Sequence, residues 1–395
     1  GGVEEQESKV QSVSLTPRMG TRQKASAMST TRFLRPCTIC QWWFLLPAAI
    51  SAAVTDQPNL PNDPLLPEQW YLFAPDDERG GAGSVNALEA WEHTLPANPI
   101  TVAVLDSGVN YKHPDLEANV WKNEGESENG KDDDANGYID DMHGWDFVND
   151  DHDPVGFPSR EFPDQFGHGT AVAGLMAAAA DNGIGIAGIG RNVKIMPLRI
   201  VGEPAPGSKF HAGPRTTLPQ AIRYAIRNGA RVIVCTLLPV GAAKGSVEAA
   251  SLEASLREAD KAGILLVWSA GNQGRNVDTD EFVRFPRFSN ILIVGGTIRD
   301  GGLSPHMNFG KRVGIAAPCV DMVFPSFDGY SRSKGPGTSF AAALVAGAAA
   351  TLLSQQRHLT PADVITRMQE TSDLAPDMAK AIRGGRLNMA RLLSP

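Results

Sequence analysis

Four short segments of this 395-residue chain carry side chains that could act together in acyl transfer. They are VLDSGV at 104–109, GHGTAVAG at 167–174, SAGNQG at 269–274 and GTSFAAALVAG at 337–347. Each has a plain structural reading when taken singly. Asp106 would serve a turn, His168 and Ser339 would cap helices, and Asn272 would sit in a Gly-rich turn. Taken together they supply what attack on a carbonyl needs. Ser339 is the candidate nucleophile, His168 the base that takes its proton, and Asp106 the acid that orients that base. The Asn272 side-chain amide is the candidate donor to the developing oxyanion. Glycine flanks all four, which permits tight turns and close approach of a substrate.

Such residues need a rigid frame. Apolar, β-branched runs at 100–106, 193–200, 231–238, 263–270 and 291–296 read as buried strands. Between them 168–180, 218–229 and 247–263 have helical spacing, with Gly229 and Gly263 as C-terminal stops. Strands that are apolar throughout and alternate with helices predict an α/β fold. Its central sheet is mostly parallel, with helices on both faces. Ligands in such sheets bind beyond the carboxyl ends of the strands. Asp106 ends the first strand, Asn272 follows the strand that ends at Ala270, and His168 opens a helix.

The order Asp, His, Ser separates this set from the chymotrypsin and α/β-hydrolase orders. The four motifs resemble those of the subtilisin-like serine peptidases, over roughly 64–393. NDPLLPEQWYL at 62–72, AAPCVD at 316–321 and GGRLNMARLL at 384–393 add to the likeness. The resemblance implies a subtilisin-like fold and hydrolysis of peptide bonds by Asp106, His168 and Ser339 through an acyl-enzyme. It also implies Asn272 as oxyanion donor, and substrate binding along Thr236, Leu237, Leu238, Ser269, Ala270 and Gly271. The alternative is a subtilisin-like binding protein with little turnover. Departures from the family pattern motivate it. Thr236-Leu237-Leu238-Pro239 stands where Ser-Leu-Gly-Gly is usual, and Ala343 and Leu344 stand where Pro and His are usual. Cys319 stands where glycine is common and is a candidate low-pKa thiol beside the site. Between Ala53 and Asn62 there is no room for the propeptide that the family implies.

The segment 131–141 reads KDDDANGYIDD. Oxygen ligands at alternate positions before a turn glycine suit a hard cation such as calcium. Asp132, Asp134, Asn136, Tyr138 and Asp140 are the candidate ligands, although His143 stands where an EF-hand would have glutamate. A solvated acidic loop is the plainer reading, and a structural calcium-binding protein is a third function class. The resemblance alone implies a second calcium site at Gln69, Asp115 and Asn182.

A net charge of −8 argues against a nucleic-acid partner, which requires a basic face. The apolar run 37–53 follows Arg32 and Arg35 and ends in small residues, the plan of a secretory signal. The expected domains are therefore a tail plus signal at 1–53, a Pro-rich linker at 54–62 and a peptidase domain at 63–395. A membrane contact would arise only if 37–53 stayed as an anchor. Export to the exterior or the secretory lumen, a polypeptide substrate and a monomeric state are the remaining expectations. Cys37 and Cys40 fall in the apolar run, and Cys235 and Cys319 are expected as buried thiols.

Overall fold

The structure, a computed structural model, describes residues 60–156, 167–202, 217–236, 246–279 and 288–394. All of these belong to one compact unit, Gln57–Pro395. The signal-like run, Cys37, Cys40, Leu237, Leu238 and Pro239 lie outside the described residues.

Chain order begins with α1 (Ala87–Glu92), β1 (Ile100–Asp106), β2 (Trp145–Asp146), α2 (His168–Ala177) and β3 (Val193–Arg199). Next come α3 (Thr217–Arg227), β4 (Val232–Cys235), α4 (Val247–Lys261), β5 (Leu265–Ser269), β6 (Ile291–Thr297) and β7 (Val313–Pro318). A hairpin, β8 (Met322–Ser326) and β9 (Gly329–Ser333), precedes α5 (Thr338–Gln355). The chain closes with α6 (Pro361–Glu370), α7 (Pro376–Ala381) and α8 (Met389–Leu393). Seven strands form one parallel sheet in the order β2-β3-β1-β4-β5-β6-β7. Strand order reverses beside β1, so the carboxyl ends of β1 and β4 border a crevice where ligands bind in such sheets.

Each expected strand and helix is present: β1 keeps its expected bounds, β6 runs one residue further, α3 starts one residue earlier, and the remaining ends agree to within three residues. β2, β7 and the hairpin were not expected. β2 has two residues, β7 carries Gly314 and ends on Pro318, and the hairpin contains Pro325 and Gly329, so none shows a clean apolar period.

Two cores cover the two faces of the sheet. One packs α2 and α5 against Val102, Val104, Val234 and Val267. The other packs α3 and α4 against Ala103, Leu105, Ile233 and Leu266. Side chains of alternate parity thus leave each strand on opposite faces. α5 is long and apolar enough to cross a membrane, but it is buried inside the protein. A helix that is apolar on all sides belongs in a core. Its small residues let it lie close to α2. A Cβ on Gly347 would come 2.7 Å from Met176 O and 2.6 Å from Ile189 Cγ2.

Candidate active site

β1 ends on Asp106, whose carboxylate is buried. A buried charge needs donors. Ser107 N–H donates to Oδ1 at 2.7 Å, and the Thr236 hydroxyl donates to Oδ2. His168 Nδ1 lies 2.8 Å from Oδ1 and 3.0 Å from Oδ2. Register brings Thr236 there. Leu105 pairs with Cys235, so the next residue of each chain segment meets the other at the sheet's carboxyl edge. Burial alone would raise the Asp106 pKa. The adjacent imidazole and the hydrogen bonds from His168, Thr236 and Ser107 outweigh it and hold the carboxyl below its ordinary value. Burial pulls His168 down, but Asp106 more than offsets it, so the imidazole sits above its ordinary value. A carboxylate only accepts, so Nδ1 carries the proton and Nε2 is the basic nitrogen.

His168 opens α2 directly after Gly167. A Cβ on Gly169 would come 2.2 Å from Gly108 O, and Gly108 itself has a φ of +101°. These two glycines let α2 begin against the end of β1. The His168 side chain stays 33% exposed, which leaves it a path to substrate.

Ser339 is the second residue of α5, whose N-cap Gly337 provides no side-chain cap. The first-turn amides and the helix dipole therefore favour negative charge beside it. Thr338 N–H donates to Asn272 Oδ1 at 3.0 Å, and Gly271 N–H donates to Thr338 Oγ1 at 3.0 Å. The Asn272 amide oxygen thus faces α5, which makes the NH₂ the end that can donate to a substrate oxygen. The Phe340 ring stacks on the His168 ring with centroids 6.3 Å apart, so the first turn of α5 lies against the imidazole.

Asn308 supports the Asn272 loop and escaped the sequence reading. Its side chain is buried and donates to Ala270 O at 2.8 Å, while its oxygen accepts from Gln273 N and Arg275 N. Nothing in its short, isolated sequence context marks it. Among the expected substrate-binding residues, Ser269 donates its hydroxyl to Thr236 O at 2.7 Å and Ala270 N–H donates to Val294 O at 2.8 Å. Gly271 follows with a φ of +93°.

The family model described as the subtilase family matches residues 97–385. The chain belongs to the subtilase family. It is 30% identical over 340 residues to a thermophilic serine proteinase of Bacillus sp. strain AK1, covering 83% of this chain and 73% of that one. Thermitase of Thermoactinomyces vulgaris is 27% identical over 329 residues, covering 83% of this chain and 97% of that one. Among solved structures, a protease of Pseudoalteromonas arctica superposes with a TM-score of 0.63 at 23% identity, over 85% of this chain and 98% of that one. A chain of the subtilase cytotoxin assembly gives 0.61 at 21%, over 82% and 95%. These superpositions show the fold, and the relatives' names make this subtilase a serine protease.

The subtilase's acidic loop turns at Ala135, Gly137 and Asp140, each with positive φ. The turns break the alternate phase assumed from the sequence. Glu126, Asp134 and Asp141 come together, with their ligand atoms all within 4.8 Å of one another. Asn123 and Asn136 each donate to both Asp134 and Asp141. Asp132 instead accepts from Asn136 N and Gly137 N, and Asp140 accepts from Asn129 N and Gly130 N. The Tyr138 ring packs among Trp145, Phe147 and Tyr224. Burial raises the Asp141 pKa against hydrogen bonds from Tyr224, Asn123 and Asn136. Three crowded carboxylates, two of them (Glu126 and Asp141) on buried residues, form a donor set that fits a hard cation.

The second expected site is arranged differently. Gln69 exchanges both amide bonds with Ala187. Asp115 accepts from Asn182 Nδ2 at 3.0 Å, Ile186 N at 3.0 Å and the Tyr330 hydroxyl at 3.0 Å. Asp63, missed in the sequence, borders the same loop: it accepts from Asp181 N, and its Oδ1 is buried without a partner. Cys319 is a buried thiol that burial pushes up to about 11, so it is not the low-pKa thiol expected from its position.

Proposed function

We propose that this serine protease hydrolyses internal peptide bonds of polypeptides, with Asp106, His168 and Ser339 as its triad and Asn272 as oxyanion donor. The hydrogen bond from His168 Nδ1 to the buried Asp106 carries the reading, because it leaves Nε2 free to act as the base. Ser339 Oγ attacks the scissile carbonyl carbon while its proton passes to His168 Nε2. The carbonyl oxygen takes the negative charge and accepts from the Asn272 amide and the first-turn amides of α5. The imidazolium then protonates the leaving amine, the C–N bond breaks, and an acyl-Ser339 remains. Water attacks the ester, giving its proton to His168, which returns a proton to Ser339 as the acid leaves. Asp106 stays ionised throughout and stabilises each imidazolium.

Substrate strands in this reading run past Thr236–Leu238 and Ser269–Gly271. Calcium is the expected cation, held by Glu126, Asp134 and Asp141, and at the 181–186 loop by Asp63 and Asp115 with Asn182. When bound it would supply positive charge to offset the crowded carboxylates of those loops. The apolar run 37–53 supports a secreted or lumenal enzyme.

The test is active-site labelling of the chain by a fluorophosphonate, alongside hydrolysis of an unfolded protein. Labelling at Ser339, lost on denaturation, is the expected result. Ser339→Ala should cut turnover about 10⁶-fold, the loss measured on removing the triad serine of subtilisin. Asn272→Ala should cut it about 10²–10³-fold. Well-folded protein that neither labels nor hydrolyses would favour the binding-protein reading.

A further inference from the structure

The imidazole of His168 is gripped at one edge by Asp106, but an edge contact leaves the ring free to tilt about that bond. Its face meets Phe340, 6.3 Å away between centroids and inclined by 30°. This separation lies within the range of stabilising aromatic pairs. Phe340 is backed in turn by Phe324 of β8, with centroids 5.0 Å apart. The next residue of β8, Pro325, packs on α2: a Cβ on Gly174 would come 2.3 Å from Pro325 Cδ. The hairpin therefore touches the helix that carries His168 and the ring that faces it. Phe340 also has little room to leave. A Cβ on Gly337 would lie 3.1 Å from its Cδ2, and its side chain is buried.

We infer that Phe340, backed by Phe324, is a positioning residue that holds the His168 imidazole in plane with Asp106 and stabilises its protonated form. The inference rests on the reading of His168 as the base. Phe340 follows Ser339 directly on α5, so nucleophile and ring move as one piece. An aromatic face attracts a cation, and His168 becomes one at each proton transfer. Asp106 from β1 and Phe340 from α5 contact the ring, Thr236 from β4 contacts Asp106, and Phe324 from β8 contacts Phe340. Among the described residues, Asp106 is the charged group that acts on it.

A packing role and a positioning role separate in the titration of His168. The experiment follows the His168 ring carbon by NMR against pH in the full chain bearing Ser339→Ala, which prevents self-cleavage and needs no turnover. Phe340→Leu keeps an apolar filler but removes the ring face. The expected midpoint falls by about half a pH unit, the size of an aromatic contribution to a partly exposed cation. Phe340→Tyr should restore it. In chains retaining Ser339, Phe340→Leu should lower kcat about fivefold with KM little changed, a loss of positioning and not of binding. Phe324→Leu gives a second measurement should Phe340→Leu not fold, with a smaller shift in the same direction. An unchanged midpoint in the folded leucine variants, or no recovery with tyrosine, overturns the inference. Loss of all turnover with these shifts intact would instead count against the protease mechanism.

Discussion

At the scale of single residues, Asp106 and His168 divide the electrostatic work. Each is pushed toward its neutral form by burial and held charged by the other. The folded imidazole titrates above its ordinary value, near 6.5. The proposed mechanism needs neutral Nε2, so kcat/KM should rise with pH through a midpoint above 6.5, and a pH profile on a peptide substrate checks it. The stability contributions have opposite signs. His168, being raised, adds stability below its unfolded pKa and loses it as pH climbs through the folded one. Asp106, being lowered, adds stability above its unfolded pKa and loses it as pH falls through the folded one. The pair is therefore most useful to the fold between those limits, in weakly acidic to neutral solution.

At the scale of elements, the site depends on how closely two helices approach each other and the sheet. α2 and α5 carry the proposed base and nucleophile, and both are rich in glycine and alanine where they meet. Gly347→Ala places a methyl within 2.7 Å of both Ile189 Cγ2 and Met176 O. Backbone cannot yield as a flexible side chain does, so the substitution should cost about 2–3 kcal/mol, read from denaturant midpoints at unchanged m-value. Its effect on turnover should exceed that of an equally destabilising change in α6, because it shifts Ser339 relative to His168.

At the scale of the whole molecule, the acidic loop is fastened to α3 and to β2 at the edge of the sheet. Tyr224 of α3 donates to Asp141, and Tyr138 packs on Trp145 of β2. Burial raises Asp141, so without metal its protonated form is favoured in the fold. That contribution is full below the unfolded pKa and is lost as pH rises through the folded one. At neutral pH an ionised Asp141 opposes folding, and a bound divalent cation would offset that cost. Raising free calcium to a hundred times its dissociation constant should raise Tm by about 5 °C near pH 7. The gain should shrink as pH falls and protons compete for the carboxylates. Calorimetry with calcium and with a chelator, at two pH values, measures both effects.

Much of this molecule is local in origin and was legible in the residue string. Apolar runs of period-free burial gave the central strands, glycines at 229 and 263 took positive φ where the helices stop, and the order of Asp, His and Ser motifs pointed to the family. Cross-chain facts were not legible, because each joins segments that sequence spacing does not relate. Thr236 reaches Asp106 through strand register, Asn308 braces a loop 36 residues earlier, and Asp63 meets the 181–186 loop from the far end of the domain. Positive-φ turns decided which carboxylates of the acidic loop face one another, since each such turn reverses the side that the next residues present.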